Sequence, residues 1–449
     1  MQFSSGSSVL VNERLSSWGG TNGVDCSVVV PSNSEDLQAV VHSPELRTMI
    51  PRGYARSYGD CCFCEHETVI DLRSLTLVES FDQNTGVCVS AAGVSLRSLN
   101  ALVEPKGWAL PVYPGTGFVS IGGAIANDIH GKEEHVNGSF GHSVLWFDLL
   151  LANGELRRVK RDQTSLFEAT VGGIGLTGIV VRAAIQLVRC PTNAMRVQLR
   201  PTRSLAETAN LLQEYAPSTP SMVAWVDMMT TKAGRGILEL SRPSTEGIPH
   251  VAPRRVINVP LAFPSFTVNR ASISAFNTLY FHRVPKRGIE RTIHRNRFVF
   301  PLDVVGRWNR LYGRRGLYQF QCCLPVPDVG RTFDAMQAVL RDTGIGSTLA
   351  VMKWVGRGGA GMLSFLRPGV TLAMDFVGGE QSVKLIHRLH ELVIDAGGTV
   401  YLAKDACLTP RQFRDMYPRL GEFQALLTET DPHERWQSDM SRRLGIRAL

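Results

Sequence analysis

The residues able to do chemistry in this 449-residue chain cluster at a few places, and the densest is residues 112–131. There Pro114, Gly115, Thr116, Gly122, Gly123, Ala124 and Asn127 leave the main chain nearly bare, so N–H groups can approach a flat or charged ligand such as a phosphate-bearing cofactor. His130 and Lys132 add a titratable imidazole and a fixed cation beside that cradle. The same small residues also suit a helix packed tightly on a sheet, and local pattern leaves both readings open. Residues 49–60 form a second candidate, a strand end running into a loop with Gly53, Arg56, Ser57, Tyr58 and Gly59. Such a loop either holds phosphate through its N–H groups and Arg56 or is a plain surface turn. Gln319 and Gln321 share one face of an alternating strand, with Lys353 nearby. They make a polar wall for a hydroxyl-rich ligand, or an ordinary solvent-facing side. Lys404 follows a buried-strand pattern, where it is either a base with a lowered pKa or a snorkelling, ion-paired lysine.

Other patterns are excluded. Residues 173–178 spell G-x-G-x-x-G, but a helical pattern precedes them and a strand follows, the reverse of the order a dinucleotide fingerprint needs. Cys61, Cys62 and Cys64 lack a second C-x-x-C or a histidine at zinc-ligand spacing, so no metal site is expected. The nine cysteines, scattered among apolar neighbours, fit buried thiols in a reducing compartment. No run of eighteen apolar residues occurs, as a membrane span would need, and residues 1–8 lack a signal peptide's charged and apolar regions. The expected location is cytoplasmic, or peripheral at the cell membrane. A net charge of +8 points to an anionic partner. The basic residues are densest at 282–297, where aromatic interleaving and RNA-recognition motifs are lacking; that argues against nucleic acid and leaves a solvated face or a phospholipid surface.

These groups need a frame. Residues 26–30 suggest a strand and 31–41 a capped helix; 69–72 and 87–91 suggest strands, 95–102 a helix, 166–170 a helix and 179–185 a strand. Asn153-Gly154 between two strand-like runs predicts a hairpin. Strands and helices mix without regular βαβ alternation, which gives an α+β class. Beyond residue 190 the texture changes to longer elements, with strands near 223–227, 317–324, 349–354 and 369–376 in one sheet, then a helix over 382–396. The helical tail from 409 carries Trp436 and is expected to pack back on the first part.

The ensemble resembles the FAD-dependent decaprenylphosphoryl-β-D-ribose 2′-oxidases, within the vanillyl-alcohol-oxidase-like flavoproteins, over nearly the whole chain. The resemblance is carried by Arg56-Ser57-Tyr58-Gly59-Asp60, Pro114-Gly115-Thr116, Gly122-Gly123-Ala124-Ile125-Ala126 with Asp128-Ile129-His130-Gly131-Lys132, and Gly138-Ser139-Phe140-Gly141. Further marks are residues 169–173 through 176–179, Gln319-x-Gln321, Tyr401-x-Ala403-Lys404-Asp405 and Ser438-Asp439-Met440-x-Arg442-Arg443-Leu444. It implies a two-part FAD-binding domain (1–190, completed by 400–449) with an inserted substrate domain (191–399) on an antiparallel sheet. By that resemblance FAD is held by the 53–59 loop, by Pro114 to Asn127, and by His130, Gly178, Ile179 and Tyr401. Tyr58 stands where many relatives carry a flavin-tethering histidine, so FAD is expected to be non-covalent.

Lys404, His130 and Tyr58 are the implied catalytic residues, and Lys132, Trp225, Gln319, Gln321 and Lys353 the implied substrate contacts. The implied reaction removes the proton of a sugar 2′-hydroxyl while hydride passes from C2′ to flavin N5. The substrate would be a polyprenylphosphoryl ribose or related pentose, and an NAD(P)H-dependent short-chain reductase would complete its epimerisation towards an arabinose donor for cell-wall synthesis. A soluble alditol or sugar-lactone oxidase and a non-catalytic basic binding protein are the alternatives. Departures from the family pattern are Ala55 for glycine, Cys61-Cys62-Phe63-Cys64 for a polar turn, Thr371 for an asparagine, and Ala373 for the cysteine attacked by nitroaromatic inhibitors in mycobacterial members.

Overall fold

The computed structural model describes residues 9–162, 164–190, 192–229, 234–244, 257–264, 267–327 and 329–447. The amino-terminal segment read for a leader (1–8) lies outside them, as do residues 255–256 and 265–266 of the basic and apolar stretch, about 255–300, that the lipid-linked reading turns towards a membrane.

Sheet formation follows the alternation and turn signals. A four-stranded sheet has the order Val11–Ser16, Gly23–Val29, Thr68–Asp71, Met49–Arg52, antiparallel in its first pair and parallel in the other two. The expected helix is Ser34–His42, started by Asn33, whose side chain accepts from the Asp36 N–H at 2.9 Å; Leu37, Val40 and Val41 bury its inner face. A five-stranded antiparallel sheet follows, with Val144–Leu150 and Leu156–Lys160 paired across the predicted hairpin; Gly154 takes φ +83° there, a conformation a side chain resists. The G-x-G-x-x-G segment lies between the helix Thr164–Thr170 and the strand Ile179–Gln186, the order that excludes a dinucleotide fingerprint.

The third sheet positions the site. It has eight strands, ordered Ile289–His294, Ala194–Thr202, Gly236–Pro243, Ser221–Val226, Leu349–Val355, Gly369–Val377, Leu317–Pro325 and Thr399–Val400, and every pair is antiparallel. The four strands expected to share a sheet do so. Phe320, Met352, Leu372 and Met374 join one core with Phe333 of the helix Val329–Thr343 and Leu385 and Leu389 of the helix Glu380–Asp395. Because strand side chains alternate faces, Gln319, Gln321, Val351, Lys353, Thr371 and Ala373 point the other way, into a cavity. Register places Gln321 opposite Ala373 and Ala373 opposite Val351, which in turn faces Trp225. One row of side chains thus crosses four strands.

The glycine-rich stretch becomes a short helix, Ile121–Ala126, capped by Ser120. Its two readings describe two faces: Ile121, Ala124 and Ile125 are buried, while Gly122, Gly123 and Ala126 line the cavity. The tail folds back as expected. Trp436 is fully buried and bridges to Met49, and the Arg435 guanidinium donates to Val41 O at 2.8 Å and Leu46 O at 3.0 Å.

Candidate active site

The open face of the eight-stranded sheet, the loops at 51–62 and 113–132, and a cover at 299–308 enclose a cavity of about 840 Å³. Most expected site residues meet there. Gly53, Arg56, Ser57, Tyr58, Pro114, Gly115, Thr116, Gly122, Gly123, Asn127, Gly178 and Tyr401 line it, as do His130, Lys132, Trp225, Gln319, Gln321, Lys353 and Lys404. Gly59, Ala124 and Ile179 are not among its lining residues. A Cβ on Gly59 would sit 1.7 Å from Asp405 O, so this glycine lets the loop pack on the segment after Lys404. Ala124 lies on the core side of its helix, and Ile179 is buried with Val29 and Leu150.

His130 is buried; its Nε2 lies 2.7 Å from Gln321 Nε2, and its ring packs edge-on to Phe365 and Tyr401. With Nε2 accepting from the amide, the proton is on Nδ1, which is buried and has no hydrogen-bond partner among the described residues. Burial, reinforced by the Lys353 and Lys404 charges, holds the imidazole well below its usual pKa, so it is neutral near pH 7. Tyr401 donates its hydroxyl to Asn127 O at 2.9 Å and stacks on Phe365 at 4.2 Å.

Lys404 comes from the single turn after Thr399–Val400, and its Nζ sits 3.8 Å from the Tyr58 ring centre. Burial pushes its pKa down to about 7, helped by Lys353 and opposed by Asp375. Tyr58 is 3% exposed, and burial first, then Asp375 and Tyr312, keep its phenol protonated. Asp375 was not foreseen. It sits opposite Gln319, whose amide donates to Oδ1, and burial raises its carboxyl to about 6 against the opposing effect of Gln319 and Lys404. The available signal was a lone carboxylate in the otherwise apolar run of residues 372–377, in phase with Ala373.

A second cationic end lies along the same sheet. Burial and then the Lys132 charge push Lys353 down to about 8. Lys132 donates to Phe298 O at 2.6 Å, with its ammonium over the Phe298 ring, and burial lowers its pKa. Trp225, Tyr280 and Glu239 complete that wall; the latter two were not foreseen. Nor was Asp303, which accepts from Thr116 Oγ1 at 2.5 Å and from Gly117 N–H at 2.9 Å and so closes the cover onto the glycine-rich stretch.

A FAD binding domain family matches residues 27–160. The decaprenylphosphoryl-β-D-ribose oxidase of Mycolicibacterium smegmatis is 34% identical, over 97% of this chain and 98% of its own. The chain belongs to the decaprenylphosphoryl-β-D-ribose oxidase family. It is a FAD-dependent oxidoreductase acting on a CH–OH group, with the α+β fold of vanillyl-alcohol-oxidase-type flavoproteins. An uncharacterised Streptomyces coelicolor protein is 31% identical over 79% of this chain and all of its own length, and a D-arabinono-1,4-lactone oxidase of Yarrowia lipolytica is 27% identical over 35% of this chain and 31% of its own.

The residues fit the cofactor. Asn127 and His130 line the cavity, and Asn127 Oδ1 and His130 Nδ1 are buried with no hydrogen-bond partner among the described residues; a Cβ on Gly53 would reach to 2.3 Å of Ser120 Oγ, so the loop and the cap of the short helix meet only because Gly53 is bare. Among the described residues, no three His, Cys, Asp or Glu side chains are placed to hold a metal ion.

Proposed function

We propose that this oxidoreductase converts the 2′-hydroxyl of a polyprenylphosphoryl pentose, ribose in the first instance, to the 2′-keto sugar. The observation that carries this reading is Lys404 with a pKa near 7 in one cavity with Gln321 and His130, while Lys132 and Lys353 stand along the same wall. Bound FAD supplies the hydride acceptor. Lys404 as free amine takes the 2′-hydroxyl proton, and Tyr58 holds that amine over its ring. Gln321, fixed by His130, orients the sugar, and Lys353 with Lys132 pairs the phosphodiester. Residues 1–190 with 400–449 form the cofactor half and 191–399 the substrate half. FAD is held non-covalently, since Tyr58, whose phenol burial keeps protonated, stands where relatives carry a tethering histidine.

A lipid-linked substrate also suits the outer surface. The helix Arg270–His282 turns Tyr280 into the cavity while Phe276 and Leu279 are exposed; Leu261 and Phe263, shortly before it in the chain, and the cations Arg283, Lys286, Arg287 and Arg291, after it, are exposed too. This combination supports peripheral binding to an anionic membrane. No helix among the described residues is long and apolar enough to cross one. The 2′-keto product then calls for a separate NAD(P)H-dependent reductase to return hydride from the opposite face.

The test is the flavin spectrum under anaerobic conditions. Bleaching by polyprenylphosphoryl ribose and not by a soluble pentitol is expected. Bleaching by the pentitol alone would replace the reading with a soluble alditol or lactone oxidase, and bleaching by neither would refute both substrates.

A further inference from the structure

Cys61 and Cys62 have no part in the chemistry above, yet of the nine buried cysteines they are the ones on the cavity wall among the described residues. They are adjacent in a tight turn, and both are buried. Arg52, at the end of the strand Met49–Arg52, donates from Nη1 to Cys62 Sγ at 3.2 Å and to Cys62 O at 3.3 Å. The charged or titratable groups facing Cys62 are thus Arg52, Cys61 and, from the same loop, Asp60. The neighbouring Cys61 thiol and the positive charge of Arg52 both favour the Cys62 thiolate, against burial and Asp60; Cys61 is correspondingly held as the thiol. Cys322 and Cys323, also adjacent, lie fully buried in the core, away from the cavity.

We propose that Cys62 is a covalent modification site, the nucleophile of a Cys61–Cys62 dithiol that reacts with hydrogen peroxide reaching the cofactor cavity. The Cys62 thiolate attacks one peroxide oxygen, the O–O bond breaks, and sulfenic acid forms with release of hydroxide. The Cys61 thiol then displaces that oxygen as water, leaving a Cys61–Cys62 disulfide; two thiols lose two electrons and two protons as one peroxide becomes two waters. Adjacent Cα atoms are about 3.8 Å apart, shorter than the usual ~4.4–6.8 Å of a disulfide, so the ring is strained and readily reduced. Strained, accessible disulfides are the labile ones, which makes this a reversible mark and not a structural staple.

The experiment treats the FAD-loaded and the FAD-stripped protein with hydrogen peroxide, alkylates the remaining thiols and reads the peptide spanning residues 61–62 by mass. Loss of two hydrogens and of both alkylation sites, reversed by dithiothreitol and faster without FAD, is expected. A peptide that keeps both thiols in both forms overturns the proposal, and equal rates with and without FAD overturn the placement of the pair in the cofactor cavity. In Cys61→Ser the sulfenic acid of Cys62 should persist and be trapped by dimedone, while Cys62→Ser forms no adduct; an adduct on Cys61 instead would overturn the assignment of the nucleophile. Should either variant fail to fold, alkylation of the unsubstituted protein near pH 7 decides the same point: Cys62 should react several-fold faster than Cys61, and equal rates refute it.

Discussion

Lys404 and Lys353 differ from surface lysines because burial removes water from their ammonium groups, pushing them to about 7 and about 8 against a usual 10.5. If the amine of Lys404 takes the proton and the ammonium of Lys353 holds the phosphate, kcat/KM rises with pH through about 7 and falls above about 8. These are properties of an interacting pair, so the assignment comes from substitution. Lys404→Met should lower kcat by roughly 10²–10⁴-fold and abolish the rising limb, whereas Lys353→Gln should raise KM and remove the falling one. The stability sign is fixed too: a lysine with a lowered folded-state pKa binds its proton less tightly when folded, so stability increases as pH rises from about 7 towards 10.5, and Lys404→Met flattens that slope in denaturant titrations. Asp375 opposes the fall in the Lys404 pKa. Asp375→Asn should therefore shift the rising limb to lower pH with kcat on the plateau little changed; an unmoved limb would dissociate the two groups.

At the scale of elements, what could be read in the sequence was whatever repeats with the period of its structure. Alternation along 317–325, 349–355 and 369–377 puts Gln319, Gln321 and Lys353 on one face before any neighbour is known. The glycine-rich stretch could likewise be read as a cradle, but pattern does not say which of its residues turn inward, and Ala124 lies on the core side. Glu239, Tyr280 and Asp303 escaped because they join the cavity only through tertiary packing: Asp303 is 187 residues from Thr116. The first loop shows a local cost that the sequence flagged only as a departure. Ala55 adopts φ +50°, a left-handed conformation that costs a non-glycine residue about 1–2 kcal/mol. Glycine relieves that strain but gives back about 0.5–1 kcal/mol in chain entropy. Ala55→Gly should thus leave the melting temperature unchanged or slightly raised, while Ala55→Val, β-branched at positive φ, should lower it and weaken FAD retention, measured as flavin fluorescence released on dilution.

At the scale of the whole molecule, the carboxy-terminal helix Asp439–Leu444 joins segments that the chain order separates. Arg443 donates to both Asp60 oxygens at 2.8 and 2.7 Å and to Asp405 at 3.0 Å, tying the end of the first loop to the residue after Lys404. Both carboxylates are buried, with Asp60 6% and Asp405 3% exposed. Asp405 also accepts from the Cys407 and Leu408 N–H groups, which bend the chain away behind Lys404. Removing one partner of such a cluster strands charge in low dielectric, so Arg443→Met should cost about 3–5 kcal/mol of stability, read from chemical denaturation. The geometric consequence is separable from the energetic one. Asp405→Asn keeps the size and, through its side-chain oxygen, the backbone contacts, but its NH2 cannot accept from Arg443, which keeps Asp60 as its charged partner, so it should destabilise less. If the cluster sets the position of Lys404 against Tyr58, both variants should shift the pH of the rising limb even where they remain folded; a loss of stability with an unshifted pH profile would make Arg443 a fold clamp alone.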